Sequence, residues 1–172
     1  LERFLSGEPP KIDVHGSVEP LLEALNAKLA EIGADPDHQL NLPDATSIER
    51  AVKLMIALAD AMRASDLHIT PLLRNGDEVL SIRLRVDGLM QSIAEADARL
   101  TPAMIEQWKN LAACYVRERR LPQDGRIVID RGDRRLDLRV SFVPLHGGES
   151  VTVRLLKIEH VQFKLDEFGF SP

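Results

Sequence analysis

Residues 66–86 read DLHITPLLRNGDEVLSIRLRV, and this stretch decides the fold. Polar and apolar residues alternate on both sides of Asn75-Gly76, a dipeptide that favours the two-residue turn of a β-hairpin. Closing the chain on that turn pairs apolar residues on one face: Leu67 with Leu84 and Ile69 with Ile82. On the other face it pairs polar residues: Thr70 with Ser81, His68 with Arg83, and Asp66 with Arg85. The stretch therefore predicts a hairpin with one apolar and one polar face.

A second hairpin follows from the same alternation later in the chain. Gly132-Asp133 suits a type II′ turn between predicted strands 126–130 and 134–143. Its register pairs residues across the turn as follows: Ile127 with Leu138, Ile129 with Leu136, Asp130 with Arg135, and Arg126 with Arg139. A last strand over residues 150–156 points Val151, Val153 and Leu155 to the apolar side.

Three helices and a short strand over residues 89–93 complete the predicted order. Ser17 caps a first helix that Gly33 ends, and the capping box Thr46-x-x-Glu49 starts a second. Thr101 as cap and Pro102 start a third, whose apolar stripe extends to Tyr115. The order helix, helix, β-β-β, helix, β-β-β predicts an α+β fold. Its antiparallel sheet has about six short strands with helices on one face.

Arginines collect on the polar face of this predicted sheet. Alternation places Arg126, Arg139 and Arg154 there. Two registers keep the apolar faces of strands 134–143 and 150–156 together. One sets Arg154 opposite Asp137 in a structural salt bridge, and the other sets it opposite Arg139, where an anion such as phosphate would relieve the repulsion. The spacing leaves both registers open, and an anion site is the function that three converging arginines indicate.

The composition argues against several other functions. A net charge of −5 gives no overall basic surface, which argues against non-specific nucleic-acid binding. No two of the five histidines are spaced i, i+4, and Cys114 is the only cysteine of the sequence. We therefore expect no metal site. Gly is never followed by Lys, so the G-x-x-x-x-G-K-[ST] phosphate loop is absent from this sequence. With no signal-peptide pattern and no apolar run near the ~18 residues of a membrane span, we expect a cytoplasmic protein.

Four strings, in this order, resemble blocks that precede the phosphate loop in the type II secretion and type IV pilus assembly ATPases. They are residues 64–69 (ASDLHI), 83–88 (RLRVDG), 119–126 (RRLPQDGR) and 151–156 (VTVRLL). Residues 138–141 (LRVS) and Gly148-Glu149 fit between them. The resemblance covers about residues 46–170, and Pro122-Gln123-Asp124-Gly125-Arg126 is its most specific block.

The resemblance implies a PAS-like domain that closes over ATP held by a C-terminal RecA-like domain. By motif, the arginines that reach the nucleotide phosphates in this family fall on Arg139 and Arg154, and also on Arg126. ATP and magnesium are implied as cofactors of the full-length protein, with none bound by this chain alone and no catalytic residue in it. The implied partners are its own ATPase domain, neighbouring subunits of a homohexamer, and secretion or pilus platform proteins of the inner membrane. The implied location is cytoplasmic, peripheral to that membrane.

We expect three segments: a helical segment and linker over 1–45, the PAS-like sheet domain over 46–164, and the start of a linker to the ATPase domain over 165–172. An alternative function is a free-standing PAS-like sensor or interaction module without a motor. A phosphate loop downstream in the parent gene would separate the two.

Overall fold

The structure, a computed structural model, describes residues 18–34, 47–131 and 134–156. Its elements in chain order are α1 (Glu19–Glu31), α2 (Ser47–Ala61), β1 (Asp66–Arg74), β2 (Asp77–Val86), β3 (Leu89–Asp97), a 3₁₀ turn (Ala98–Leu100), α3 (Thr101–Leu111), β4 (Gln123–Arg131), β5 (Arg134–Leu145) and β6 (Gly148–Leu156). The predicted α+β class and the order of helices and strands are confirmed.

All six strands form one antiparallel sheet in the order β3-β2-β1-β6-β5-β4. Each half of the sheet is a three-stranded meander, and the pairing of β1 with β6 joins the two halves. Asp66 lies opposite Arg154 across that junction, and His68 lies opposite Thr152. The polar side chains of both halves therefore share one continuous face.

The two predicted hairpin registers are confirmed pair by pair. Leu67 lies opposite Leu84 in the first hairpin, and Arg126 lies opposite Arg139 in the second. Between β5 and β6 the structure has the like-charge register, with Arg139 opposite Arg154 and Asp137 opposite Leu156. The alternative register with an Asp137–Arg154 salt bridge is wrong. The turn residues Gly132 and Asp133 lie outside the described residues.

One apolar core connects the helices with the inner face of the sheet. Leu21, Leu25 and Leu29 of α1 are fully buried in it, together with most of α2 and with Leu67, Ile69 and Val153 of the central strands. Helix α3 adds Met104 and Trp108, the largest buried side chain. Because helices occupy this face, the arginine-bearing face of the sheet is the one that can meet a ligand.

The third helix differs from the prediction at both ends. Thr101, predicted to be the cap, is the first residue of the helix, and Leu100 occupies the N-cap position without a side-chain hydrogen bond. Asp97 caps the preceding 3₁₀ turn, where its carboxylate accepts the backbone N–H of Arg99 at 2.7 Å. The helix ends at Leu111, and Ala113 takes a positive φ of 55° that turns the chain away. Tyr115, predicted to be in the buried stripe, is 82% exposed for that reason. The predicted caps Ser17 and Thr46 lie outside the described residues.

Candidate functional site

An open cavity of about 580 Å³ lies on the polar face of the sheet, over β4, β5 and β6. Its lining comes from these three neighbouring strands: Asp124, Gly125, Arg126, Arg139, Ser141, Thr152 and Arg154. Since a rigid ladder holds every lining residue, the position of each guanidinium is set by the sheet register and not by a loop.

The three predicted arginines form part of a row that runs straight across the sheet. Successive cross-strand pairs place Arg85, Asp66, Arg154, Arg139 and Arg126 side by side on β2, β1, β6, β5 and β4. Directly opposite residues have Cβ atoms about 4.5–5.5 Å apart. Arg139 therefore has an arginine on each side, which concentrates positive charge at the centre of the cavity.

Asp66 neutralises one end of this row. Its carboxylate accepts a hydrogen bond from Nε of Arg154 at 3.0 Å and lies 3.6 Å from Nε of Arg85. Burial raises the pKa of Asp66, but hydrogen bonds from Arg154 and Ser65 and the charge of Arg154 outweigh burial and leave the pKa below its usual value. Asp66 is thus ionised and shared between two arginines.

Asp137 neutralises the other end. Both of its carboxylate oxygens accept from Arg126, with Nε to Oδ1 at 2.7 Å, and the Asp137 side chain is only 3% exposed. The hydrogen bonds from Arg126 lower the pKa of Asp137, burial opposes them, and the charges of Arg126, Arg135 and Arg139 lower it further. This bidentate pair fixes the orientation of the Arg126 guanidinium.

Arg139 is the exception in the row. It is exposed, and within the described ranges its side chain has no hydrogen bond or ion pair. The carboxylates beside it are already engaged: Asp137 by Arg126, Asp66 by Arg154, and Asp124 by Ser141. A planar guanidinium between two others and without a carboxylate of its own is suited to binding an oxyanion.

Hydroxyl groups line the cavity in the next row. Ser141 donates to Oδ1 of Asp124 at 2.6 Å, and Thr152 Oγ1 lies 3.4 Å from Nδ1 of His68. The Ser141 hydroxyl thereby holds Asp124 at the cavity, two residues along the strands from the arginine row. Because the one O–H of Ser141 is donated to Asp124, the donors that the site offers to phosphate oxygens are the three guanidinium groups and the Thr152 hydroxyl.

Helix α3 supports the β4 side of the cavity through a close backbone approach. A Cβ atom on Gly125 would lie 2.4 Å from the Ala112 carbonyl oxygen and 2.8 Å from Cys114 Sγ, so only glycine fits there. Beside it, the Gln123 amide braces the preceding loop by accepting the Tyr115 N–H at 2.8 Å and donating to the Tyr115 carbonyl at 3.0 Å. These contacts fix where β4 begins and therefore where Arg126 projects.

A buried ion pair lies behind the same region, and the sequence patterns missed it. Lys109 of α3 has a fully buried side chain, and its ammonium lies 2.6 Å from Oε1 of Glu149 and donates to Oε2 at 2.9 Å. The ammonium also donates to the Glu118 carbonyl and lies 5.6 Å from the centre of the Phe142 ring. Helical periodicity does not mark a lysine as buried, so only a cross-element contact could have revealed this pair.

No group of three or more His, Cys, Asp and Glu side chains in the described ranges could hold a metal ion. Among the same residues, no helix combines the length and hydropathy needed to cross a membrane.

Comparisons with known proteins identify the family. Residues 41–172 match the family model described as Type II/IV secretion system protein. The chain is 43% identical over 131 residues to a type II secretion system protein E of Xanthomonas campestris pv. campestris, covering 76% of this chain and 22% of that protein. It is 38% identical over 144 residues to the protein of the same name from Klebsiella pneumoniae, covering 84% and 28%.

A third relative comes from pilus assembly. Over an alignment of 173 residues the chain is 31% identical to the type IV pilus assembly ATPase PilB of Myxococcus xanthus, covering 99% of this chain and 29% of that protein. The chain thus spans between 22% and 29% of the lengths of these three relatives. The family match covers well over half of the chain, including all six strands and the whole arginine row. The chain therefore belongs to the type II/IV secretion system protein family.

Proposed function

We propose that this chain is the part of a type II secretion or type IV pilus assembly ATPase that closes over ATP and contacts its phosphates. The observation that carries the proposal is Arg139. It lies directly opposite Arg154 and Arg126, at the centre of an open cavity, and it has no carboxylate partner in the described part of the chain. Membership of the family and the name of the Myxococcus relative, a pilus assembly ATPase, support nucleotide as the ligand.

The cavity suits a group with several negative oxygens. Arg85, Arg126, Arg139 and Arg154 carry four positive charges, and Asp66, Asp124 and Asp137 carry three negative ones, which leaves one positive charge unbalanced. A phosphate chain can accept from all three guanidinium groups that line the cavity, and the hydroxyl of Thr152 lies beside them. Charge that develops on a transferring phosphoryl group is stabilised by such donors, and arginines in this role contribute about 10³–10⁵ in rate in well-studied cases.

The ATP itself is held elsewhere under this proposal. The sequence has no G-x-x-x-x-G-K-[ST] motif, so the nucleotide-binding cradle would belong to a RecA-like domain of the full-length protein. The described carboxylates near the cavity are engaged by Arg126, Arg154 and Ser141, which fits magnesium arriving with the nucleotide and not on this chain. We expect the 172-residue chain alone to show no ATP turnover above buffer.

The wider assembly is part of the same proposal. In the proposed assembly the full-length protein forms homohexameric rings at the cytoplasmic face of the inner membrane, beside platform proteins of the secretion or pilus machine. The arginine face would then lie against an ATPase domain, and the helix-covered face of the sheet would be turned away from the nucleotide. Isolated 172-residue chains are expected to be monomeric or weakly associated, since the ring contacts would come from the ATPase domain. A stable hexamer in light scattering would contradict this.

The test is ATP hydrolysis by the full-length protein with Arg139→Ala or Arg154→Ala. Both variants should lose most of the activity, and Arg139→Lys should not restore it, since lysine lacks the planar fork. Arg135→Ala is the matched control, because Arg135 is an exposed arginine on the same face of β5 that pairs with Asp130 at 3.8 Å. Near-normal hydrolysis by the two alanine variants, with folding verified by circular dichroism, would refute the proposal.

A further inference from the structure

Three buried polar atoms without a hydrogen-bond partner lie together on the other half of the polar face. They are Nε2 of His68, Oγ of Ser81 and Nε of Arg83. His68 on β1 lies directly opposite Arg83 on β2, and Ser81 is two residues from Arg83 on the same face. Buried donors nearly always have partners in folded proteins, so three adjacent exceptions mark a place where a partner is missing.

The carboxylate that lies beside this cluster on β3 is Glu95, which is opposite Ser81 and forms an ion pair with Arg74, whose Nε is 3.0 Å from its Oε1. No described residue forms an ion pair with Arg83. Asp66, two residues from His68, is engaged by Arg154 and Arg85. The residue opposite Arg83 on β3 is Ser92, which is exposed and neutral, and the residue opposite His68 on β6 is Thr152. The Arg83 guanidinium is therefore surrounded by neutral side chains and by carboxylates that other arginines already bind.

We propose that Arg83 and His68 form a second oxyanion site, for a phosphate-type group, that is separate from the Arg139–Arg154 cavity. Both side chains are half-buried, so a change of rotamer brings their unpartnered nitrogens to the surface without movement of the strands. The guanidinium supplies a planar fork, the imidazole supplies one N–H, and the Ser81 hydroxyl lies behind them. This proposal goes beyond the phosphate contact of Arg139 and does not depend on it.

The position of His68 makes the site sensitive to pH. Burial lowers the pKa of His68, Asp66 on β1 opposes this, and the charges of Arg83 and Arg85 on β2 and Arg154 on β6 lower it further. A bound oxyanion beside Arg83 reverses the local sign of charge and favours the imidazolium form. Proton uptake by His68 and anion binding are therefore coupled, and binding strengthens as the pH falls.

The test is an NMR titration of the histidine ring protons of the 172-residue chain. The probes are inorganic phosphate and pyrophosphate, compared with chloride at matched ionic strength. The His68 signal, assigned with His68→Gln, should show a pKa raised by about 1 unit when phosphate is bound. His146, in the turn between β5 and β6, serves as the internal control and should show no specific shift.

Two arginine variants separate this site from the first. Arg83→Ala, or Arg83→Gln if the alanine variant does not fold, should abolish the phosphate-dependent shift. Arg139→Ala should leave it in place. An unchanged His68 titration in phosphate would overturn the proposal, and so would a shift that survives the loss of Arg83 and disappears with Arg139. Neither result would bear on the proposed contact of Arg139 with ATP, which the hydrolysis assay tests separately.

Discussion

Lys109 and Arg139 are two cations of the same small protein with opposite surroundings. Lys109 is fully buried and has Glu149 at 2.6 and 2.9 Å, the Glu118 carbonyl and the Phe142 ring around it. Arg139 is exposed on the sheet, between two arginines, with no carboxylate of its own in the described part. A buried charge must be fully paired for the fold to tolerate it, whereas an exposed one can be left without a partner at little cost.

The difference in burial and pairing gives Lys109 a structural role and leaves Arg139 available for a ligand. The Lys109–Glu149 pair ties α3 to the start of β6, and through Glu118 it also holds the loop that leads into β4. It supports the strands from which Arg126 and Arg154 project. The arginine row can then carry unbalanced charge, because the scaffold beneath it is fixed independently. Stability and ligand binding are thus separable, and mutations in the two regions should show it.

The largest effect on stability is expected from Lys109→Met. Removing one partner of a buried ion pair leaves the other charge unpaired, which costs about 3–5 kcal/mol. Arg139→Ala should change the free energy of unfolding by no more than about 0.5 kcal/mol, as for exposed side chains in general. Urea denaturation of both variants measures the comparison. Equal losses of stability in the two variants would contradict the division between a structural Lys109 and a ligand-binding Arg139.

A double variant is the control for Lys109. Lys109→Met together with Glu149→Leu removes both charges, and such replacements of a buried pair are often neutral. We expect the double variant to regain most of the stability lost by Lys109→Met alone. If it stays as unstable as the single variant, packing around Lys109, and not the unpaired carboxylate, accounts for the loss.

Gly125 links the two regions and gives the next largest effect. Gly125→Ala would force a Cβ against the Ala112 carbonyl at 2.4 Å, between the end of α3 and the strand that carries Arg126. Overpacking of this kind costs about 1–3 kcal/mol. Gly147→Ala is the matched control, since nothing lies within 4 Å of a Cβ there. Thermal unfolding should show a lower Tm for the first variant alone, and equal Tm values would contradict the close approach.

The hairpins were the most predictable part of the fold. Asn75-Gly76 sets a two-residue turn, and the turn together with strict alternation leaves one register for β1 and β2. The pairing of Arg126 with Arg139 followed from the second hairpin in the same way. Between β5 and β6 the spacing allowed two registers, because both keep the apolar faces together, and only tertiary structure chose the one with Arg139 opposite Arg154.

Contacts between distant strands were beyond the sequence patterns. The pairing of β1 with β6 joins residues 88 positions apart, and it alone brings Asp66 to Arg154. That contact offsets part of the repulsion between the arginines that lie opposite each other on β4, β5 and β6. The burial of Lys109 was hidden for a similar reason, since its partner Glu149 lies 40 positions away and on a different kind of element. Local periodicity carries no information on either contact.

Acid should weaken the arginine face more than the rest of the sheet. The pKa of Asp137 is lowered by its hydrogen bonds with Arg126, so its contribution to stability is complete above the ordinary aspartate pKa of about 3.9 and is lost as the pH falls through the lower, folded-state value. Asp137→Asn should therefore flatten the loss of stability between about pH 5 and pH 3. Asp130→Asn is the control, because the Asp130 side chain is 79% exposed and its Oδ1 lies 3.8 Å from Nε of Arg135, so this pair should contribute little to stability. Parallel pH profiles for wild type and Asp137→Asn would argue against the pair.

The smallest effect, and the most direct probe of the arginine row, is a salt dependence. Arg139 forms no ion pair in the described part of the chain, and we expect repulsion from Arg126 and Arg154 to exceed its attraction to Asp137, so Arg139→Ala should stabilise the chain slightly at low ionic strength. The gain should fade by about 1 M salt, where the Debye length is about 3 Å. Arg135→Ala, on the same strand and face, removes an attraction to Asp130 and should change stability in the opposite sense. Urea midpoints at low and high salt measure both variants. If Arg139→Ala destabilises the chain at low salt, the guanidinium has an attractive partner in solution, and the unbalanced charge that underlies the phosphate contact is not there.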